Sequence, residues 1–314
     1  MDDLDVLVIG AGVSGLTTAV CLAEAGLRVR VWAAATGSGT TSSAAGAMWS
    51  PYLVEAGDRV RAWSIATLRE LRALAGEPRA GIALVTGVQA AQQRVEPPPW
   101  RAELDGFRLL GAADLPSGFV SGWRYRVPVV DMPVYLDYLR GRAEAAGAVV
   151  EVRRIATLGE ATAVAPAVVN CAGIGARELV PDPSVTPYRG QIVVVENPGI
   201  TEFFVEEAEP PRYVIPHGPT AILGGTSQPG DWALTPDPAV AAAIVERCAR
   251  IEPRLRDARV IGHRVGLRPA RPTVRLERVP DSRVVHNYGH GGAGVTLSWS
   301  CAREVVELLK GAPA

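Results

Sequence analysis

The chain has 314 residues, a formal net charge of -1 and 48% hydrophobic residues. This length accommodates one large α/β domain or two domains, with enough core to fold without disulfides or bound metals. The balanced charge gives no support to a nucleic-acid or anionic-membrane partner. The four cysteines, Cys21, Cys171, Cys248 and Cys301, are widely spaced. We therefore expect core thiols and no metal site.

Lysine is nearly absent, and this excludes two kinds of catalytic site. Of the 32 Lys and Arg residues only Lys310 is a lysine, and it lies at the end of the last predicted helix. A Schiff-base lysine and the lysine of a phosphate-binding loop are therefore effectively excluded.

Targeting signals are not recognisable in the sequence. The apolar runs are interrupted well short of the ~20 residues that a transmembrane helix requires. A strand-like segment follows Met1 directly, without the basic region of a signal peptide. Residues 312–314 do not match the peroxisomal signal Ser-Lys-Leu. We therefore expect a cytoplasmic protein without a membrane partner.

The N-terminal segment predicts a βαβ nucleotide-binding unit. A G-x-G-x-x-G pattern at Gly10, Gly12 and Gly15 lies between a short apolar strand and a helix. In such a unit the first glycine permits the bend, the second admits a pyrophosphate and the third lets helix and strand pack closely. A purely structural tight turn is the alternative interpretation. The predicted elements are a strand at 4–9, a helix at 13–25 and a strand at 27–32.

One part of this nucleotide-binding pattern is missing. An acidic residue after the second strand normally holds the ribose hydroxyls, but the sequence has alanines at 33–35. This weakens the case for an exchanging NAD and matters less for a cofactor held at many points. The hydroxyl-rich residues 36–49 follow, either as a surface loop or as groups that cap a pyrophosphate.

The middle of the chain predicts a second, mostly antiparallel sheet inserted between strands of the first. Asp131 is expected to cap a helix, and a buried strand at 167–173 returns the chain to the nucleotide-binding sheet. The other predicted elements are strand-like segments within 81–125, strands at 149–155, 185–196, 213–216 and 221–226, and helices at 58–75, 132–146 and 237–251.

Arg268 is the first of three arginines within residues 266–277. It follows an apolar pair and precedes a proline, which favours a stiff, extended backbone. A guanidinium presented in this way suits bidentate binding of a carboxylate. Arg271 and Arg275 are equally consistent with a solvated basic edge.

A second glycine-rich turn occupies residues 286–296, between a predicted strand at 283–285 and a predicted helix at 298–310. Main-chain N–H groups can approach a ligand closely at such a turn. We therefore expect the chain to close around one large dinucleotide from both ends. His286 and His290 lie in this turn, where hydrogen bonding to the main chain is favoured over acid–base chemistry.

Motifs along the whole chain share one resemblance. They include VIGAGVSGLTTA at 8–19, TTSSAAGAMW at 40–49, RYVIP at 212–216, GLRPARPTVRLE at 266–277 and HNYGHGGAGVTLSW at 286–299. The chain resembles the D-amino acid oxidase family of FAD-dependent enzymes. The resemblance implies an α/β fold, with a Rossmann-like FAD-binding domain and a substrate domain built on a mixed, mostly antiparallel β-sheet. The implied FAD-binding domain comprises residues 1–55, 131–185 and 264–314, and the substrate-binding domain comprises 56–130 and 186–263.

The resemblance also implies a reaction. A D-amino acid passes a hydride from Cα to flavin N5, the imino acid hydrolyses to a 2-oxo acid and ammonia, and O2 reoxidises the flavin to give H2O2. No side-chain acid or base is required, because the cofactor carries the chemistry. The implied partners are therefore a small-molecule D-amino acid and O2. A homodimer is compatible with the sequence, which does not determine the oligomeric state.

Site residues follow from the same resemblance. Arg268 would pair with the substrate carboxylate, Tyr213 would donate a hydrogen bond to it, and the Gly292 carbonyl would accept from the amine. The implied FAD shell consists of Gly10, Gly12, Val13, Ser14 and Gly15 at the pyrophosphate, Thr40, Thr41 and Ser42 nearby, Ala45, Gly46 and Met48 beside the ring, Arg154 and Ile155 near the adenosine, and Gly291, Gly292, Ala293, Gly294, Val295 and Thr296 around the flavin.

Departures from the family pattern bear on the substrate. Glu209 stands where many relatives have a second tyrosine, and at the mouth of the site it would admit basic side chains. Ser227 stands where the D-aspartate oxidase branch usually has a basic residue, which favours neutral or broad D-amino acids. Alternation along the strand would direct Arg212 away from the face that carries Tyr213. The alternatives are a D-aspartate oxidase, a glycine or secondary-amine flavin oxidase and, more remotely, a non-catalytic dinucleotide-binding protein.

Overall fold

The computed structural model describes residues 4–206 and 208–311. In this part of the chain there are two sheets, one of six strands and one of nine. The C-terminal tripeptide considered above lies outside the described residues. In chain order the strands and helices are β1 (Val6–Ile9), α1 (Val13–Glu24), β2 (Val29–Ala33), α2 (Asp58–Leu74), β3 (Ile82–Ala91), β4 (Asp105–Leu109), β5 (Ser121–Val130), α3 (Met132–Ala145), β6 (Val149–Val152), α4 (Leu158–Thr162), β7 (Ala167–Asn170), α5 (Ala176–Leu179), β8 (Thr186–Glu196), β9 (Phe203–Glu206), β10 (Arg212–His217), β11 (Thr220–Gly224), β12 (Gln228–Pro229), α6 (Pro238–Ala249), β13 (Val260–Ala270), β14 (Arg275–Arg278), β15 (Val284–Tyr288) and α7 (Gly294–Lys310).

The first sheet has the strand order β14-β15-β7-β1-β2-β6. Its strands are parallel except for β14, which pairs antiparallel with β15. Leu7, Val8, Val168 and Val169 are fully buried, because both faces of a parallel sheet are covered. The predicted βαβ unit is therefore present. The strand predicted at 167–173 pairs with β1 as β7, and the strand predicted at 283–285 pairs with β7 as β15.

The second sheet is mostly antiparallel, with the order β12-β8-β11-β10-β9-β3-β5-β4 and β13 paired along β8. Alternate residues of its strands face opposite sides. Val193, Val195 and Leu223 pack in one cluster with helix α6, whereas Ile192 and Ile222 belong to the core shared with the first sheet. The mixed α/β fold class predicted from the sequence is confirmed.

Two local expectations need correction. The last helix begins at Gly294 rather than at residue 298, so the glycine turn is shorter than predicted. Asp131 does occupy the N-cap position of α3, but its side chain makes no cap hydrogen bond. Pro133 lies in the first turn and lacks an N–H, which removes one of the donors that a capping side chain would accept from.

The proposed division into domains stays a prediction. The strands of the first sheet all come from residues 1–55, 131–185 and 264–314, but the boundary at 264 falls inside β13. None of the described helices combines the length and apolar composition needed to cross a membrane.

Candidate active site

A cavity of about 550 Å³ lies between the two sheets and is lined by residues of both. Gly10 follows β1, Ala33 ends β2, Cys171 follows β7 and His290 lies beyond the end of β15, and all four line it. The carboxyl ends of these parallel strands therefore open onto the cavity, which is where ligands bind in open α/β sheets.

The glycines of the first turn allow very close backbone packing. Gly10 has a φ of 107°, and a Cβ there would lie 2.4 Å from the Cys171 carbonyl oxygen. A Cβ on Gly15 would lie 1.9 Å from the Gly10 carbonyl oxygen. The start of α1 can therefore lie against the end of β1, and the Val13 N–H donates to Ser42 Oγ at 3.0 Å. This helix N-terminus, the usual position for a phosphate, faces the cavity.

One end of the cavity is lined by Ala33, Ala34, Ala35 and Arg154. These alanines leave the end of β2 without a carboxylate, as the sequence predicts. Ile155 does not line the cavity and packs instead against a separate apolar cluster on the outer side of the first sheet.

Two buried polar atoms beside the cavity have no partner among the described residues. They are Nε2 of His290 and Oδ1 of Asn287, and both residues line the cavity. The other ring nitrogen of His290 lies 3.4 Å from Ser14 Oγ. Burial lowers the pKa of His290 to about 4, so its ring is neutral at pH 7. Because buried polar atoms are rarely left unpaired, these two indicate that a polar ligand fills this part of the cavity.

Arg268 projects from β13 into the other end of the cavity. Its guanidinium lies over Gly190 of β8, where a Cβ would come within 2.5 Å of Nη2. Nη1 donates to the Thr226 carbonyl at 3.0 Å, which holds the group in place. Within residues 4–206 and 208–311 no carboxylate forms an ion pair with Arg268. The charge of Arg268 is therefore left for a ligand.

Tyr213 lies near Arg268, on β10 of the same sheet. Its cross-strand neighbour is Gly224, and the ring occupies the space above that glycine so closely that a Cβ would lie 1.8 Å from Cζ. Burial raises the pKa of Tyr213, and the nearby Arg268 cation only partly opposes this. The phenol therefore stays protonated at neutral pH and can donate a hydrogen bond.

The second glycine turn is attached to the strand that carries Arg268. The Gly291 N–H donates to the Pro269 carbonyl at 3.0 Å. Arg271 and Tyr288 both bind Asp182 Oδ2, at 3.0 and 2.8 Å. Burial would raise the pKa of Asp182, but hydrogen bonds from Ser184, Tyr288 and Arg271 outweigh it and hold the pKa at about 2. This network of an ion pair and its hydrogen bonds joins the end of β13 to the second glycine turn.

The comparisons with known proteins decide the family. A family model described as FAD dependent oxidoreductase matches residues 5–308. The D-amino-acid oxidase of Streptomyces coelicolor is 48% identical over 314 residues, which cover 98% of this chain and 97% of that protein. The D-amino-acid oxidase of Rubrobacter xylanophilus is 46% identical, with 96% and 94% covered. The chain belongs to the family of FAD-dependent oxidoreductases.

A solved structure supports the fold. Glycine oxidase from Geobacillus kaustophilus superposes with a TM-score of 0.83 and 20% identity, over 100% of this chain and 96% of that one. The protein is an oxidoreductase and its cofactor is FAD. The cavity fits this cofactor, because a helix N-terminus, a second glycine turn and two unpaired buried polar atoms line one continuous space.

The structure brings most of the predicted site residues to the cavity and leaves four away from it. Gly15 and Ile155 pack as described above, Ala293 is fully buried, and Thr296 bonds the backbone of Ser50. The predicted residues that line the cavity are Gly10, Gly12, Val13, Ser14, Thr40, Thr41, Ser42, Ala45, Gly46, Met48, Arg154, Tyr213, Arg268, Gly291, Gly292, Gly294 and Val295.

Several cavity residues near Arg268 and Tyr213, here called the substrate end of the cavity, were not predicted from the sequence. Tyr52, Val205 and Trp232 line the cavity, but isolated hydrophobic residues carry no sequence signal for a site. Gly190 and Gly224 leave the space that Arg268 and Tyr213 occupy. The role of these two glycines depends on strands that are distant in sequence, so no local pattern reveals it.

Of the charged residues near the hairpin between β9 and β10, Glu209 departs from its expected position, whereas Arg212 lies away from the cavity as the strand alternation predicts. Glu209 is exposed and does not line the cavity, whereas Glu206 does. Arg212 lies 3.2 Å from Glu206 in a buried ion pair, and it does not line the cavity. Ser227 is buried and also lies outside the lining.

Proposed function

We propose that this chain is a D-amino-acid oxidase, which converts a D-amino acid, O2 and water into a 2-oxo acid, ammonia and H2O2. The observation that carries the proposal is Arg268, a cation that pairs with no carboxylate of the described residues and that faces the cavity beside the protonated phenol of Tyr213. A carboxylate is the ligand that this pair recognises. The extensive identity to two relatives named D-amino-acid oxidase supports the same conclusion.

In this proposal the chain binds and orients the substrate. Arg268 forms a bidentate ion pair with the carboxylate, and Tyr213 donates a hydrogen bond to it. The Gly292 carbonyl accepts from the substrate amine. Bound FAD would accept the hydride and pass the two electrons on to O2. The protein contributes mainly by positioning the substrate. A substrate that is already held against the cofactor loses no further translational or rotational freedom when it reacts.

No histidine of the cavity is suited to general acid or base catalysis at neutral pH. His290 lines the cavity, and burial lowers its pKa to about 4. His286 does not line it, and burial lowers its pKa to about 4 as well. This agrees with a reaction in which the substrate amine enters the transfer step already neutral, and with the proposal that no side chain acts as a catalytic acid or base.

The two anchoring contacts explain why one enantiomer reacts. With the carboxylate on Arg268 and the amine on Gly292, exchanging enantiomers swaps the Cα hydrogen with the side chain. Only one enantiomer can therefore direct its hydrogen at the cofactor. The relatives named D-amino-acid oxidase support the D-enantiomer as the one that reacts.

The lining favours neutral side chains. Val205 and Ile215 contribute apolar surface at the substrate end. Among the described residues that line the cavity, the other arginine is Arg154, which lies with Ala33 at the carboxyl ends of β6 and β2 in the first sheet, whereas Arg268 lies on the second sheet. A second carboxylate would therefore lack a cationic partner, so a D-aspartate oxidase is less well supported than a neutral or broad D-amino-acid oxidase.

The deciding experiment is an absorbance spectrum of the purified holoenzyme, followed by anaerobic addition of L-alanine and then D-alanine. We expect a flavin spectrum that is bleached by the D-enantiomer alone. Glycine and sarcosine are tested in parallel, because faster bleaching by either would favour the secondary-amine alternative. A flavin that stays oxidised with neutral, acidic and basic D-amino acids would overturn the proposed function.

We also propose a cytoplasmic location and leave a homodimer as the assembly to be tested. All four cysteines are free thiols in the structure, and three of them are buried, which suits a reducing compartment. Cell fractionation and analytical ultracentrifugation would test the two points separately.

A further inference from the structure

Tyr52 lies between the two groups that are proposed to hold the substrate. The ring lines the cavity, and its centroid is 5.7 Å from Cζ of Arg268. The same ring lies against Gly292, where a Cβ would come within 2.5 Å of Tyr52 Cδ1. One side chain therefore contacts both the carboxylate-binding arginine and the glycine whose carbonyl is proposed to bind the amine.

The backbone around Tyr52 is fixed to the second glycine turn on both sides. Ser50 is bonded through both its N–H and its carbonyl to Thr296 Oγ1, at 3.0 and 2.8 Å. Leu53 has a φ of 52°, a left-handed conformation that costs a non-glycine residue energy. Its carbonyl oxygen lies 1.8 Å from where a Cβ of Gly291 would be. Tyr52 is therefore held in place by its neighbours rather than free to change position.

We propose that Tyr52 is the positioning residue that sets the distance between the carboxylate site at Arg268 and the amine site at Gly292. This inference rests on the proposed function. The aromatic face attracts the guanidinium within the ~6 Å range of cation–π contacts, and the ring edge limits how far Gly292 can approach. The ring, rather than the hydroxyl, carries this role, since both contacts are made by ring atoms.

The test compares Tyr52→Phe, which keeps the ring, with Tyr52→Leu, which removes it. Binding is measured with 2-aminobenzoate, which has a carboxylate and an amine but no Cα hydrogen to transfer. The readout is the change in flavin absorbance of the holoenzyme. The rate of anaerobic reduction by D-alanine and the Kd of FAD, from flavin fluorescence on dilution, are measured in parallel. Tyr138→Leu is the matched control, because Tyr138 is also half-buried but does not line the cavity.

We expect Tyr52→Leu to weaken 2-aminobenzoate binding about 10-fold and to slow reduction, with the Kd of FAD within about 2-fold of the wild type. Tyr52→Phe and Tyr138→Leu should bind 2-aminobenzoate within about 2-fold of the wild type. Unchanged binding and reduction in Tyr52→Leu would overturn the inference, as would a loss in Tyr52→Phe equal to that in Tyr52→Leu. A wild-type holoenzyme that no D-amino acid reduces would instead refute the proposed function, and the inference with it.

Discussion

Replacing Arg268 by leucine tests the proposed carboxylate site most directly. The guanidinium is half-buried and held by Thr226, and no carboxylate of the described residues pairs with it. A bidentate contact comprises two charge-assisted hydrogen bonds of about 1.5–3 kcal/mol each. Since the cavity opens to solvent at its mouth, we take the lower end and expect a loss of about 3 kcal/mol, or roughly 100-fold in kcat/KM.

We expect the same substitution to lower activity without lowering stability. A half-buried cation that pairs with no carboxylate of the described residues is partly desolvated without charge compensation, which destabilises the folded protein. Removing it should therefore leave Tm unchanged or raise it, even though activity is lost. Arg268→Lys keeps the charge but not the planar fork, and we expect it to recover only part of the loss.

The assay is anaerobic flavin reduction over a range of D-alanine concentrations, with thermal unfolding of the same samples. Arg278→Leu is the matched control, because Arg278 lies on β14 and does not line the cavity. A fall of less than about 5-fold in kcat/KM for Arg268→Leu would refute a bidentate contact of this strength. A clear drop in Tm would show that Arg268 has a structural role that the observed contacts do not explain.

Three further predictions concern the neighbouring residues. Tyr213→Phe should raise the KM for D-alanine roughly 10-fold with little effect on Tm, because only the hydrogen bond is removed; an unchanged KM would exclude that bond. Gly224→Ala should destabilise the protein by about 1–3 kcal/mol and raise the KM as well, because a Cβ would lie 1.8 Å from the Tyr213 ring; wild-type behaviour in both assays would contradict this packing. Burial lowers the pKa of His290 from 6.5 to about 4, so the unfolded state binds more protons between these values and the free energy of unfolding should fall as the pH falls from about 6.5 to 4. In His290→Gln the dependence of Tm on pH should be flatter over that range, and an equally steep curve would show that His290 does not titrate as inferred.

Local sequence signals were sufficient for the nucleotide-binding unit. The glycines at 10, 12 and 15, the short apolar strand before them and the helix after them are all contiguous, and β1, α1 and β2 form as expected. Element ends were less well predicted. The sequence predicts that Gly294 belongs to the glycine turn, because glycine disfavours helix interiors. In the structure α7 begins at Gly294, and the residues that follow in its first turn are buried.

The substrate end shows the limit of sequence reasoning. Glu209 was expected at the mouth because of its position before Tyr213, but the hairpin turns it outward and Glu206 lines the cavity. Which residue of a hairpin faces inward depends on the register with the neighbouring strand, and a shift of one residue reverses the faces. Tyr52 could not be identified at all from its own surroundings in the sequence.

The sequence by itself determined the α/β class and the family resemblance, because these depend on local patterns and on motifs read one at a time. The resemblance in turn predicted Arg268 and Tyr213 as substrate-binding side chains. The tertiary structure decided how those side chains meet. Strands β13, β8, β11 and β10 lie side by side, so Arg268 and Tyr213 reach one cavity across Gly190 and Gly224. Strand order and register depend on pairing between residues far apart in the chain, and no short stretch of sequence encodes that pairing.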